Sequence, residues 1–286
     1  MPIASPLRAV RTWRSNRRLA RYLRSDPRAK TIVDFRGCRF FAGLDNKIEA
    51  SLLRGGHHYD RANFAVVTHF VKPGHVCFDV GANIGVYSMV FARIAGSPQN
   101  VHAFEPVDHI RGRFIANAKL NDATGINLND LALGARPGSL DMFQVKPGQF
   151  RGGTSTFLRN DSVSALGEDE FLTRPVQVTT LDSYAGKAGL QRIDFLKIDV
   201  EGFELQVLEG AAEAISRFAP TMLLEYDESR LREQDHCDRL RDVLYAHDYQ
   251  VFEFTAFKDR LALLPFAFAH QPPGRNILCL KPAAAS

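Results

Sequence analysis

Asp79, Glu105, Lys197, Asp199 and Glu201 are the residues whose types and spacing can do chemistry in this chain. Asp79 lies near the end of a short apolar run, 76–80, and Gly81, Ala82, Asn83, Ile84 and Gly85 follow it. A dinucleotide site needs G-x-G-x-x-G, so that a helix N-terminus meets a pyrophosphate. Here Gly81 and Gly85 enclose three residues instead. A carboxylate beside such a turn repels phosphate and suits a cationic, amino-bearing ligand. The plainer alternative is a simple strand-to-helix turn.

Glu105 falls twenty residues beyond Gly85, where nucleotide-binding βαβ units carry a ribose-binding acid. Read alone, it serves equally well as a helix cap; beside the glycine turn, ribose binding is favoured. S-adenosylmethionine carries an ammonium, a sulfonium and a ribose, and so answers both acids. Asp130 and Leu131 can hold its adenine, one by hydrogen bonding and one by packing, although Asp130 suits an Asx turn as well. Lys197, Asp199 and Glu201 alternate along a strand and so share a side. Charges on a buried parallel strand are costly unless paired or placed at an opening. Either they form an active site at the strand's carboxyl end, or Lys197 and Asp199 are a buried pair with Glu201 capping the next helix. Glu225 ends another strand and is a candidate neighbour of the substrate.

Stepping outward along the chain, TIVDFRGCRFFAG at 31–43 reads as a short strand or hairpin and ANFAVVTHFV at 62–71 as a helix. The central strand runs to residue 80, with a helix in VYSMVFARIA behind the turn. NVHAFEP at 100–106 is the second strand, and a helix spans Asp108 to Leu120. INLNDLALG supplies the third strand with its exit, SLDMFQV is a candidate strand, and VQVTTLD ends in Asp182, a candidate N-cap. FLKIDV is the fourth strand; Phe203, Val207, Leu208, Ala211 and Ile215 mark one helix after it, which Pro220 stops. TMLLEYDE is a strand, residues 229–247 a helix, and YQVFEFTA and RNILCLKP an antiparallel pair at the sheet edge. GGHHYD before the first helix reads as a lid or a surface stretch, and RGGTSTF as an active-site loop or an ordinary insertion.

The chain has 286 residues, 45% of them hydrophobic and 24% charged, which suits a soluble globular protein of one large domain with an appendage or of two small ones. No apolar run approaches the roughly 18–20 residues that span a bilayer. Four scattered cysteines, without CxxC or metal-ligand spacing, fit structural thiols in a reducing compartment. The net charge of +4 is uneven: residues 1–30 carry nine Lys/Arg and one acid, leaving −4 for the rest. Residues 5–25 read as a basic helix that touches acidic lipids, nucleic acid or a partner, or as a solvated extension; an organelle presequence has the same character. The expected divisions are a basic arm (1–30), an extension (31–55) and a catalytic domain (56–286), in a cytoplasmic protein with or without peripheral membrane contact.

With FDVGANIG, AFEP, TLD and FLKIDVEGFELQVLEGA in this order, the chain resembles the FkbM family of S-adenosylmethionine-dependent methyltransferases over about residues 57–255. The resemblance implies an α/β class I methyltransferase fold, Rossmann-like, with a seven-stranded, mostly parallel sheet, helices on both faces and an antiparallel edge strand. It implies cofactor binding by Asp79, Gly81, Ala82, Asn83 and Gly85 at the methionine side, by Glu105 with Pro106 at the ribose, and near adenine by Asp130 and Leu131. It also implies O-methylation, often of sugars, glycolipids or polyketide-type products. Asp199 is then the first candidate base, Glu201 the second, and Lys197 orients Asp199. No metal is required, though Asp199 and Glu201 can hold a cation.

Three rivals are weaker. A nicotinamide oxidoreductase lacks its glycine motif, and Tyr184 and Lys187 have the wrong spacing for a Tyr-x-x-x-Lys site. A nucleic-acid methyltransferase would exploit the basic arm, yet the acidic remainder and the missing Asn/Asp-Pro-Pro-Tyr/Phe motif oppose base N-methylation. A non-catalytic binding protein on this fold would be expected to have lost Asp79, Glu105 or the glycines.

Overall fold

A computed structural model describes residues 30–44, 46–54, 59–146, 157, 171–226, 234–257, 260–268 and 275–282. Residues 1–29 of the basic arm, the GGHH portion of the lid stretch, the start of the helix expected from 229 and all of RGGTSTF but Phe157 lie outside the described residues. The chain opens with a hairpin of β1 (Thr31–Phe35) and β2 (Cys38–Ala42), then α1 (Lys47–Leu53) and α2 (Arg61–Phe70). Asn46 starts α1 by accepting the N–H groups of Ile48 and Glu49 at 2.9 and 3.1 Å. Phe35, Phe40 and Leu52 are buried in the same core as the elements that follow.

The central sheet uses β3 (Cys77–Val80), β4 (Val101–Phe104), β5 (Asn127–Asn129), β9 (Phe195–Ile198), β10 (Thr221–Tyr226), β11 (Gln250–Phe257), β12 (Arg260–Pro265) and β13 (Arg275–Leu280). Their order is β12-β11-β13-β10-β9-β3-β4-β5. The five from β10 to β5 pair in parallel, and β13 lies antiparallel between β10 and β11. That is the seven-stranded, mostly parallel sheet the sequence led us to expect, with an eighth strand added. The antiparallel β13 is internal, and the edge belongs to β12, which continues β11 as a hairpin. A separate three-stranded sheet, β6-β8-β7, is built from β6 (Ala132–Leu133), β7 (Gly138–Val145) and β8 (Phe171–Thr179).

Alternation along the strands sorts the core into two layers. Cys77, Ala103, Phe195 and Leu223 face one side, under α2, α3 (Val86–Ala95) and α4 (Asp108–Leu120). Phe78, Val80, Leu196, Ile198 and Leu224 face the other, under α5 (Leu181–Lys187), α6 (Glu204–Glu209), α7 (Ala212–Phe218) and α8 (Gln234–Ala246). Helices therefore cover both faces of the sheet, as a parallel sheet requires.

Two helix boundaries differ from the sequence reading. The stretch after β9 is two helices, the first ending at Glu209 with Gly210 as its C-cap; there the backbone passes that of Gly134 so closely that a β-carbon would lie 2.0 Å from the Gly134 carbonyl oxygen. Thr180, not Asp182, caps α5. The Asp182 carboxylate instead accepts the Glu213 and Ala214 N–H groups at 3.1 and 2.8 Å, capping the first turn of α7.

Candidate active site

The strand order reverses between β3 and β9, and open α/β sheets bind ligands at the carboxyl ends of strands beside such a point. A cleft of about 760 Å³, open mouth included, lies there. Gly81, Asn83 and Glu105 border it from the ends of β3 and β4, and Asp199, Val200 and Glu201 from the end of β9. Leu131, Met142, Phe157 and Phe203 supply apolar walls, with the Phe157 and Phe203 rings 4.8 Å apart. The lining, apolar walls with a few polar groups at one end, suits a ligand with a flat ring and a hydroxyl-bearing part.

Glu105 is 6% exposed. One carboxylate oxygen accepts the Val107 N–H at 2.8 Å and the other the Asn83 N–H at 2.9 Å, which ties the glycine turn to the neighbouring strand. Burial pushes its pKa up to about 7, against these two N–H groups and Arg111. Pro106 and Leu131 also line the cleft. Asp130 is exposed and absent from the lining, Ala82 is buried beneath the turn, and Gly85 caps α3.

Asp79 does not reach the cleft lining. It is fully buried and accepts the Ser88 hydroxyl at 2.6 Å, joining β3 to α3. Parallel register sets Asp79 beside Lys197, whose Nζ lies 3.7 Å from Asp79 Oδ1 and 3.0 Å from Asp199 Oδ2. The same ammonium sits 4.6 Å from the centroid of the Tyr87 ring. Burial would lower the Lys197 pKa, but Asp199 and Asp79 outweigh it and keep the ammonium charged. Burial raises the Asp79 pKa, and Lys197 opposes that rise. The Lys197–Asp199 pair is thus both a buried ion pair and a border of the cleft: Lys197 is enclosed, while the Asp199 side chain is 36% exposed.

Carboxylate oxygens of Asp199, Glu201 and Glu225 lie within 4.8 Å of one another, so the end of β10 joins this group. Two other residues were not foreseen. Asp60 stands at the N-cap of α2 in a left-handed conformation (φ 44°), yet its carboxylate turns inward and accepts the Tyr87 hydroxyl at 3.1 Å. Its place before an apolar helix suggests an ordinary cap, which hides this role. Glu204, 2% exposed, accepts the Val200 and Gly202 N–H groups at 3.0 and 3.3 Å in the turn before α6, and neither it nor Glu201 makes a side-chain cap at the start of that helix. An acid in the first helical turn after a glycine was the available signal.

Residues 79–251 match the family model described as the methyltransferase FkbM domain. AmbE, the antimetabolite synthetase of Pseudomonas aeruginosa, is 30% identical over 63% of this chain and 10% of its own length. The 31-O-demethyl-FK506 methyltransferase FkbM of Streptomyces tacrolimicus is 29% identical over 50% of this chain and 62% of its own. The 2-O-methyltransferase NoeI of Sinorhizobium fredii is 28% identical over 59% and 70% respectively. The chain therefore spans only a tenth of the first relative and under two thirds of the second.

Proposed function

This chain belongs to the FkbM methyltransferase family, and we propose that it transfers the methyl group of S-adenosylmethionine to a hydroxyl of a sugar, glycolipid or secondary metabolite. When bound, the cofactor supplies a methyl carbon already activated by its sulfonium, so alignment of the acceptor provides much of the catalysis. Glu105, whose two oxygens already accept backbone N–H groups, would accept the ribose hydroxyls on its remaining lone pairs. Leu131, Pro106 and the Phe157–Phe203 wall enclose the base. Asp199 accepts the hydroxyl proton as oxygen attacks, and Lys197, 3.0 Å away, fixes that carboxylate. Glu201 and Glu225 stand beside it at the acceptor side.

The observation that carries this reading is the double position of Asp199, bordering the cleft while held by a buried lysine. Two relatives, the 31-O-demethyl-FK506 methyltransferase FkbM and the 2-O-methyltransferase NoeI, support oxygen as the acceptor atom. Among the described residues no helix is long and apolar enough to cross a membrane, and a cytoplasmic small-molecule enzyme fits that. The test is calorimetric titration with S-adenosylmethionine, followed by methyl transfer to a panel of sugars and glycolipids. Asp199→Asn should bind the cofactor as wild type does and lose at least about a hundredfold in turnover. Loss of cofactor binding in that variant would move Asp199 into the cofactor pocket instead.

A further inference from the structure

Glu201 has φ 59° and Gly202 φ 103°, so two consecutive residues at the end of β9 leave the ordinary right-handed and extended regions. For a side chain larger than glycine the left-handed conformation is strained and needs support from its surroundings. The support is visible. Backbone turned in this way aims nearby N–H groups at one point and forms an anion-binding nest. The N–H groups of Val200 and Gly202, flanking Glu201 on either side, both donate to a single oxygen of Glu204.

We propose that Glu204 is a positioning residue of the methyl-transfer site, holding Glu201 in the conformation that carries its carboxylate to Asp199 and Glu225. The inference rests on the functional reading above and adds a residue to it. Three further contacts make the clamp effective. The Asp199 N–H donates to the Val80 carbonyl at 3.1 Å, so the start of the segment is fixed to β3. The Asp199 carbonyl abuts Gly81. Glu204 itself opens α6, which packs Leu205, Val207 and Leu208 into the core and leaves its carboxylate no freedom to follow a moving loop. The loop 199–202 is thereby pinned at both ends, and Glu201 projects between the pins.

Burial pushes the Glu204 pKa up to about 7 against the Val200 and Gly202 N–H groups, and the Asp199 charge adds to the rise. The charged groups on the segments around it are Asp199, Glu201 and Glu225, with Lys197 behind Asp199. On the α8 side His236 reaches Gln206 of α6.

The experiment reads the position of Glu201 directly, without an acceptor. Carboxyl carbon resonances of Asp199 and Glu225 are recorded in the full chain, with and without Glu201→Gln. In the wild-type background the substitution should shift both resonances, because the three carboxylates are neighbours. In Glu204→Ala the same substitution should leave them unmoved, and the Val200 and Gly202 amides should exchange about tenfold faster. Glu204→Gln keeps an acceptor oxygen and should restore both signatures, which a merely space-filling role would not require of the oxygen. If the Ala variant does not fold, Glu204→Asp, one methylene short of the nest, takes its place. Equal Glu201→Gln shifts with and without the Glu204 carboxylate would overturn the proposal, as would no shift in wild type. Failure to bind S-adenosylmethionine would sink the functional reading alone, since neither signature depends on the cofactor.

Discussion

The carbonyl oxygen of Asp199 lies 1.9 Å from where a β-carbon on Gly81 would sit. The turn after β3 and the end of β9 therefore meet backbone to backbone, and both border the same cleft. Gly81→Ala must push the two segments apart, besides placing a side chain at φ 78°. The expected cost is at least about 3 kcal/mol, combining overpacking with strain. Gly74 is the control, because it has nearly the same φ, 80°, and open space around it. Gly74→Ala should cost only roughly 1–2 kcal/mol. Urea unfolding of both variants measures the difference; equal losses would mean that strain alone matters at Gly81.

With Glu105 at the ribose, as proposed, cofactor affinity should depend on pH. The Glu105 carboxyl is raised to about 7 in the free protein, chiefly by burial, and only the ionised form offers two acceptors to ribose hydroxyls. Below that pKa, binding of S-adenosylmethionine must release a proton. Affinity should therefore rise about tenfold per pH unit up to 7 and level off above it. Glu105→Gln should bind weakly and show no such slope. Titration calorimetry from pH 5.5 to 8.5 in buffers of different ionisation enthalpy reads both affinity and proton release. A flat wild-type profile would remove Glu105 from the ribose.

What could be read from the sequence was local, and what could not was made by distant contact. The strands β3, β4 and β9 are legible because apolar runs end in acids at the ligand-binding edge, and Asp108–Leu120 is a helix with the expected bounds. The added edge strand β12 was hidden because its residues looked like part of a short connector. The break between α6 and α7 falls at Gly210, which packs against the distant Gly134, and the target of Asp182 lies 32 residues away. At the site, Asp199 and Glu201 do meet, but not by alternation along a strand as expected: β9 stops at Ile198, and Glu201 lies in the turn beyond it with φ 59°. Nor did the sequence foretell that parallel register would place Asp79 beside Lys197 and bury it below the cleft. Asp60 and Glu204 were obscured for a similar reason: each occupies a helix-start position, and its partners decide what it does there.

Asp182 separates fold from chemistry. Its carboxylate accepts two N–H groups at the start of α7, on the sheet face away from α3. Asp182→Ala should lower stability by about 1 kcal/mol, the usual value of a helix cap. It should leave S-adenosylmethionine affinity within experimental error of wild type. Chemical denaturation and calorimetry on the same preparation test both statements, and a large fall in affinity would link α7 to the site.

Lys197 offers the sharper test of buried charge. It is 4% exposed, and its ammonium is shared by Asp79 and Asp199 while lying over the Tyr87 ring. Removing one partner of such a group strands the other charges in a medium that solvates them poorly. Lys197→Met should therefore destabilise by about 3–5 kcal/mol. Fully buried Asp79 then bears most of the burden, since Asp199 still reaches solvent. Adding Asp79→Asn should return more than half of the loss, because the uncompensated buried carboxylate is gone while the Ser88 hydroxyl keeps an acceptor. Thermal unfolding of the two single variants and the double variant closes the cycle. Simple additivity would show that Lys197 packs against Asp79 without stabilising its charge, and the ion pair would lose its place in holding β3 to β9.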